Sequence, residues 1–177
     1  FYKNTVDDGY GGAFYDYYSE GTVVDNCTFE ENEAINGSYG GAMYVEYEYD
    51  IIIKNSTFKN NKVYDEYGGA IYDYYSESII IDNCKFEGNG EAEEDGETEG
   101  GAIYSYAYDE FSCEVKNSTF ENNVAGYGGA IYVYEYAMKI SNCVFKKNTA
   151  LYGGGAVYAY YGRSEERRVG KECHRLC

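Results

Sequence analysis

The body of this 177-residue chain has no arginine and no histidine. All four arginines and the single histidine, His174, lie in the last fifteen residues, RSEERRVGKECHRLC. Residues 1–162 therefore carry no imidazole to complete a zinc site, and their cysteine spacing matches no zinc motif. Proline is absent too, so the 22 glycines are not those of collagen. Basic residues are few, 14 against 31 acidic ones, and a net charge of −17 disfavours nucleic acid, whose phosphates need Lys and Arg. No run is apolar over the ~18 residues that a membrane-spanning helix needs. What the chain does have is 25 tyrosines beside many Ile, Val and Phe, a composition that argues for a packed fold despite the acidity.

The C-terminal fifteen residues break every pattern before them. The segment from Arg163 to Cys173, RSEERRVGKEC, resembles the translation of a sequencing-library adapter. Residues 163–177 are accordingly expected to be a non-native, disordered tail. Without its five basic and three acidic residues the balance of residues 1–162 is −19.

That body repeats. GGA, an apolar residue and Tyr recur from Gly11, Gly40, Gly68, Gly100, Gly128 and Gly154, at spacings of 29, 28, 32, 28 and 26 residues. A period of this size means that each repeat is one structural unit stacked on the next. The opening FYKN matches the middle of a repeat, so the array is expected to continue upstream.

Each repeat contains three short words. After GGA-apolar-Tyr comes an alternating run ending in Asn: TVVDN, IIIKN, IIIDN, CEVKN and MKISN, closing at Asn26, Asn55, Asn83, Asn117 and Asn142. Alternation with period two predicts strands, with Thr22/Val24, Ile51/Ile53, Ile79/Ile81, Cys113/Val115 and Met138/Ile140 facing inward. The third word is Cys/Ser-x-Phe-x-x-Asn, which places Phe29, Phe58, Phe86, Phe120 and Phe145 in one phase. Asn32, Asn61, Asn89, Asn123 and Asn148 share another, and a small residue then leads back to GGA. Frequent Gly with β-branched and aromatic residues excludes helix. The expected fold is all-β: a parallel β-helix of five to six rungs with three short strands each, rungs ~4.8 Å apart. Phe, aliphatic and two Asn columns would run along it, the Asn satisfying the polar corners. The glycine pair would make a corner where a Cβ is unwelcome. Residues 1–162 form one domain, with repeats near 11–39, 40–67, 68–99, 100–127, 128–153 and 154–162.

GGA-apolar with Phe-x-x-Asn, each six times, resembles the polymorphic outer membrane protein repeat of surface autotransporters and adhesin-like proteins. The resemblance spans residues 1–162. It implies a right-handed parallel β-helix, an extracellular or cell-surface location, and a role in adhesion. The extreme tyrosine content departs from it, and the barrel of an autotransporter is not in this sequence.

The cysteines of the body are Cys27, Cys84, Cys113 and Cys143. Cys27, Cys84 and Cys143 share a column in which Ser56 and Ser118 intervene. Two rungs is roughly 9–10 Å, beyond the ~7 Å limit for bridged Cα atoms, so four buried free thiols are expected.

Catalytic candidates are few. A β-helix lyase resembling the pectate family would need a strong base, usually Arg, which residues 1–162 lack. Paired carboxylates at Asp16 and Asp73 could in principle hydrolyse a glycoside, but Val45 stands between them in register. No catalytic residue and no cofactor is expected. The insertion Gly88–Gly101 carries Glu91, Glu93, Glu94, Asp95, Glu97 and Glu99. Loop 91–99 could offer oxygens to Ca²⁺, yet their order is not that of an EF-hand, and an acidic bulge is the simpler expectation. Of four Asn-x-Ser/Thr sequons, those at the corner residues Asn26, Asn55 and Asn117 are expected to be poorly accessible, leaving Asn36 as the plausible acceptor.

If the apolar residue after GGA faces inward, Tyr15, Tyr44, Tyr72, Tyr104, Tyr132 and Tyr158 form an exterior ladder. A second ladder comprises Tyr17, Tyr74, Tyr106, Tyr134 and Tyr160, with Glu46 interrupting, and Tyr10, Tyr39, Tyr67, Tyr127 and Tyr152 flank the corner. In the opposite phase the tyrosines become core. The ladders are expected either to brace the sheet or to bind a glycan or a surface protein of a host or neighbouring cell. A binding fragment of an adhesin is thus the first expectation. The alternatives are a piece of a polysaccharide-active enzyme with its catalytic rungs outside this chain, or a structural stalk.

Overall fold

A computed structural model describes residues 1–64, 66–92, 98–106, 112–135 and 138–160. The expected tail lies outside these residues. The described residues are all strand and turn, and the strands pair in parallel with their counterparts one repeat away, so the chain is a β-solenoid.

Three sheets run along it. The tyrosine sheet has six strands: Phe14–Tyr17, Met43–Glu46, Ile71–Tyr74, Ile103–Tyr106, Ile131–Tyr134 and Val157–Tyr160. The aliphatic sheet has five: Thr22–Asp25, Ile51–Lys54, Ser78–Asp82, Ser112–Lys116 and Met138–Ser141. The phenylalanine sheet has Thr28–Glu30, Thr57–Lys59, Lys85–Glu87, Thr119–Glu121 and Val144–Lys146. Registers agree with the repeat alignment: Ile71 opposite Met43 and Ile103, Phe86 opposite Phe58 and Phe120.

The rung is more elaborate than three strands. The segment returning to GGA pairs as well, through Thr5–Asp7, Glu33–Ile35 and Lys62–Val63 at one end and Val124–Tyr127 with Thr149–Gly153 at the other. These two small sheets are interrupted at the repeat that carries the insertion after Gly88. A fourth strand arises because Asn32 and its equivalents cap the turn and leave the next N–H free to pair, as in Lys62 N–H to Asn32 O at 2.9 Å.

The core lies between the sheets. Ile51, Ile53, Ile79, Ile81 and Val115 fill one wall, Met43, Ile71, Ile103 and Ile131 another. Phe29, Phe58, Phe86, Phe120 and Phe145 stack face to face at 4.7–4.9 Å. Phe1 adds a ring to this stack at 4.4 Å from Phe29. The column spacing is the strand spacing, so a parallel solenoid and an aromatic stack want the same distance.

The glycine pair shows why no other residue serves there. At Gly40 the backbone has φ +68° and a Cβ would sit 2.1 Å from the Met43 carbonyl oxygen. At Gly41 it would sit 2.2 Å from the carbonyl oxygen of Gly69 in the next rung. One glycine permits the turn and the other lets adjacent rungs touch through backbone.

Two asparagine ladders line the corners, with opposite exposure. In the inner one, Asn32 donates to Asn61 Oδ1, Asn61 to Asn89 and Asn89 to Asn123, at 2.8–3.0 Å. In the outer one, Asn26, Asn55, Asn83, Asn117 and Asn142 all have φ of 51–53°, the left-handed region that asparagine tolerates. That turn throws their side chains into solvent, where Asn83 Nδ2 bonds Asn55 Oδ1 at 2.9 Å. The expectation that the sequons at Asn26, Asn55 and Asn117 are poorly accessible is therefore corrected. Their amides are nonetheless engaged in two cases: Asn55 bonds Asp25 and Asn117 bonds Asp82, at 2.8 and 2.7 Å. Asn36 is also exposed and donates to Asp7 Oδ1 at 2.7 Å.

The four described thiols are free. Cys84 and Cys113 are buried, whereas Cys27 and Cys143, nearer the ends, are only partly so, because fewer rungs cover them. Ser and Cys alternate in one column for a physical reason. Each bonds the carbonyl two residues back, Ser56 to Lys54 O at 2.7 Å and Cys84 to Asp82 O at 3.4 Å. The serines also accept a neighbouring N–H, that of Cys27 or Cys84.

Candidate functional site

The outer face of the tyrosine sheet is a wall of phenol rings. Strand alternation turns Ile71 and Asp73 inward and Tyr72 and Tyr74 outward, so the first of the two phases holds. The consequence for solvent access differs from expectation. Tyr44, Tyr72, Tyr104 and Tyr132 point away from the core yet are only 3–6% exposed, because tyrosines of the flanking files cover them. They form a second, purely aromatic core outside the sheet. Rings step along it at 4.9 Å from Tyr44 to Tyr72, 4.9 Å to Tyr104, 5.2 Å to Tyr132 and 5.3 Å to Tyr158. Burial raises the phenol pKa of Tyr44, Tyr72, Tyr104 and Tyr132 well above the ordinary value, so these hydroxyls stay neutral donors.

What a ligand could touch is therefore the flanking files and the ends. Tyr15, Tyr17 and Tyr160 are exposed; Tyr74, Tyr106, Tyr134 and Tyr158 are half-buried. Tyr106 meets Tyr74 at 5.5 Å and Tyr134 at 4.8 Å, and Tyr134 meets Tyr160 at 5.4 Å. A further file, Tyr18, Tyr47 and Tyr75, lies at the next corner, each with φ of 55–60°. Tyr47 stacks on Tyr75 at 5.7 Å and packs against Tyr18 at 5.2 Å. Sequence reasoning missed this file, although the recurrence of DYYSE at Asp16 and Asp73 marks its position.

Carboxylates are threaded through the wall. Tyr15 donates to Glu46 at 3.1 Å; burial first, then this bond, pushes its pKa up to about 12. Glu66 stands near Tyr39 and Glu99 near Tyr132, and after burial each carboxylate's charge raises its phenol's pKa. No lysine stands in any strand of the tyrosine sheet. Lys54, Lys59, Lys85, Lys116 and Lys139 pair with Asp25, Glu30, Glu87 and Glu114 on the other two sheets. Lys3 and Lys62 pair with Glu31 and Glu91 beside the returning strands, so among the described residues these cations all lie off the tyrosine sheet.

Asp16 and Asp73 do not form an exposed pair. Both are in register with Val45, on the core side. Asp73 is fully buried and accepts from the Ser105 hydroxyl; burial pushes its pKa up to about 6, opposed by that bond. Asp16 accepts from Ser19 and Thr22 at 2.5 and 2.6 Å. Between Ser19 and Ser76 sits buried Glu48, whose Oε1 takes the Ser19 N–H at 3.0 Å. Burial and, secondarily, Asp16 raise the Glu48 pKa. Asp73 and Glu48 are buried and Asp16 is partly buried, so the three do not line one exposed face.

Of the acidic insertion, Glu93, Glu94, Asp95 and Glu97 lie outside the described residues, and with them most of the candidate calcium loop. Glu91 pairs with Lys62 at 3.3 Å, while Glu99 joins the tyrosine corner. Among the described residues, no three acidic or thiol side chains converge to hold a metal ion, and no helix is long and apolar enough to cross a membrane.

A model of the right-handed β-helix region matches residues 1–167. No curated protein and no solved structure matches the chain.

Proposed function

The chain belongs to the right-handed β-helix family, and from that premise we propose that it is a non-enzymatic binding module of an adhesin-like surface or secreted protein, of the kind that carries polymorphic outer membrane protein repeats. It would engage a glycan or a surface protein through the tyrosine face. The observation that carries this reading is the division of that face into a buried aromatic layer and an exposed one. Tyr44, Tyr72, Tyr104 and Tyr132 hold the sheet rigid, leaving Tyr10, Tyr15, Tyr17, Tyr18 and Tyr47 as flat, amphipathic contact surface. Rigid rings with hydroxyl rims bind sugars and proteins at little conformational cost. The inward placement of Asp16, Glu48 and Asp73 supports binding over hydrolysis.

Glycan-array and cell-binding assays test this with Tyr17, Tyr18 and Tyr47 replaced together by Ser. The expected result is loss of binding with the unfolding transition little changed, since all three rings are exposed. Binding that survives both this change and replacement of Tyr10 and Tyr15 would move the contact off this face. No binding to any glycan or cell by the parent chain would favour the stalk.

A further inference from the structure

Two rungs break the tyrosine corner, and one of them does so with a charge. The residue before the glycine pair is Tyr10, Tyr39 and Tyr67 in the first three repeats and Tyr127 in the fifth, but Glu99 in the fourth and Gly153 in the sixth. Glu99 occupies the same column, bridged through backbone to Tyr67 on one side and Tyr127 on the other. Elsewhere the corner ring lies over the ladder tyrosine of the following rung: Tyr10 on Tyr44 at 4.7 Å, Tyr39 on Tyr72 at 5.1 Å, Tyr67 on Tyr104 at 4.9 Å and Tyr127 on Tyr158 at 5.2 Å. The ring that would lie over Tyr132 is replaced by a carboxylate, whose charge, after burial, raises the Tyr132 phenol pKa. Beside Glu99 lies an open surface cleft of about 350 Å³, lined by Glu99 and the half-buried Tyr67, Tyr127, Tyr134 and Tyr158 and bordered by the buried Tyr104 and Tyr132.

From this geometry we propose that the cleft is a binding site for an alkylammonium cation. Aromatic faces attract a cation through their quadrupoles, the more so as water is excluded. A carboxylate on one wall supplies the counter-charge that a neutral sugar would not need. No lysine competes from the tyrosine sheet, and the chain's net charge of −17 concentrates cations near it. The shared chemistry is a methylated or primary ammonium group; a free choline headgroup and a lysine side chain of a protein are its two sources.

The inference rests on the tyrosine face being a binding surface, and it can fail separately. The intact chain is titrated with choline, with Nε-trimethyl-lysine peptide and with unmodified lysine peptide, following tyrosine ring resonances by NMR at fixed ionic strength. The neutral choline isostere 3,3-dimethylbutan-1-ol is the control. Saturable shifts with at least one cation, and none with the isostere, are expected; which cation binds tighter identifies the source. Glu99→Gln should weaken binding by about tenfold or more, the loss of one charge-assisted contact. Glu99→Tyr restores the repeat and fills the cleft. It should abolish binding while unfolding no earlier than the parent, which separates a lost site from a lost fold. An equal response to the isostere, or undiminished cation binding in Glu99→Tyr, overturns the site. Glycan or cell binding that persists in Glu99→Tyr would leave the function proposed above standing.

Discussion

The side-chain amide of Asn61 and its backbone N–H both donate to one atom, Asn89 Oδ1, at 2.9 and 3.0 Å. Asn89 in turn donates to the Phe58 carbonyl at 2.9 Å and to Asn123 Oδ1 at 3.0 Å, so one buried side chain serves two donors and two acceptors. Asn89→Ala would remove all four bonds, and a buried polar group left without a partner costs about 1–3 kcal/mol. The expected loss is roughly 3 kcal/mol or more in denaturant unfolding. The exposed Asn83→Ala gives up one solvent-facing bond and a favourable left-handed residue, for about 1 kcal/mol. Equal effects at the two positions would refute the distinction between inner and outer ladders.

Glycine substitutions should split by what the new methyl group meets. Gly37 has φ +76° with nothing within 4 Å of its would-be Cβ, so Gly37→Ala costs only the left-handed conformation, about 1–2 kcal/mol. In Gly41→Ala the Cβ would lie 2.2 Å from the Gly69 carbonyl oxygen, and adjacent rungs must part. That variant is expected to unfold or to lose several times more stability, as read by thermal melting and circular dichroism.

Asp73 predicts a pH dependence with a definite sign. Its folded pKa, about 6, is raised above the usual 3.8. The folded state therefore binds the proton more tightly, and stability falls as pH rises from about 4 through 6. At pH 7 the ionised, buried carboxylate costs roughly 3 kcal/mol. Asp73→Asn should be more stable than the parent at pH 7, with the advantage vanishing near pH 4. A difference between the two proteins that stays constant across this range would sink the assignment.

Thiol reactivity should divide the cysteines. Burial pushes Cys84 up to about 11 and raises Cys143 above its ordinary range. With Cys173 and Cys177 changed to Ser, alkylation of the native protein is expected to spare Cys84 and Cys113 and to label Cys27 first. All four should react in denaturant. Cys84→Ser should be tolerated, because Ser56 and Ser118 already make the same bonds in that column. Fewer than four reactive thiols after unfolding would point to a bridge.

Much of the fold was legible because its forces repeat. Phe86 and Ile79 announce themselves by recurrence, and five copies of one pattern fix the register that a single strand leaves open. The inward turn of Ile71 followed from the same alternation. Exposure was less legible. Tyr72 points outward as expected, but whether it meets water depends on Tyr39 and Tyr104, which reach it from neighbouring rungs. Asn55 illustrates the reverse: a corner residue reads as sequestered until its left-handed φ is seen to aim it at solvent. The Glu99 cleft was overlooked because the reading followed what the repeats share, and the site is where one of them differs.

Val45 acts as an insulator. It lies in register between Asp16 and Asp73, and Glu48 of the same rung stands between Ser19 and Ser76. Excising residues 40–67 would leave the phenylalanine, asparagine and glycine columns continuous, since Asn32 would simply meet Asn89. It would also bring two inward carboxylates to adjacent strands, ~4.8 Å apart, where like charges in a sparsely solvated interior repel strongly. The rungs share one shape but are not interchangeable parts. Their order sets the spacing of charge along the axis, and removing this one rung would put Asp16 beside Asp73.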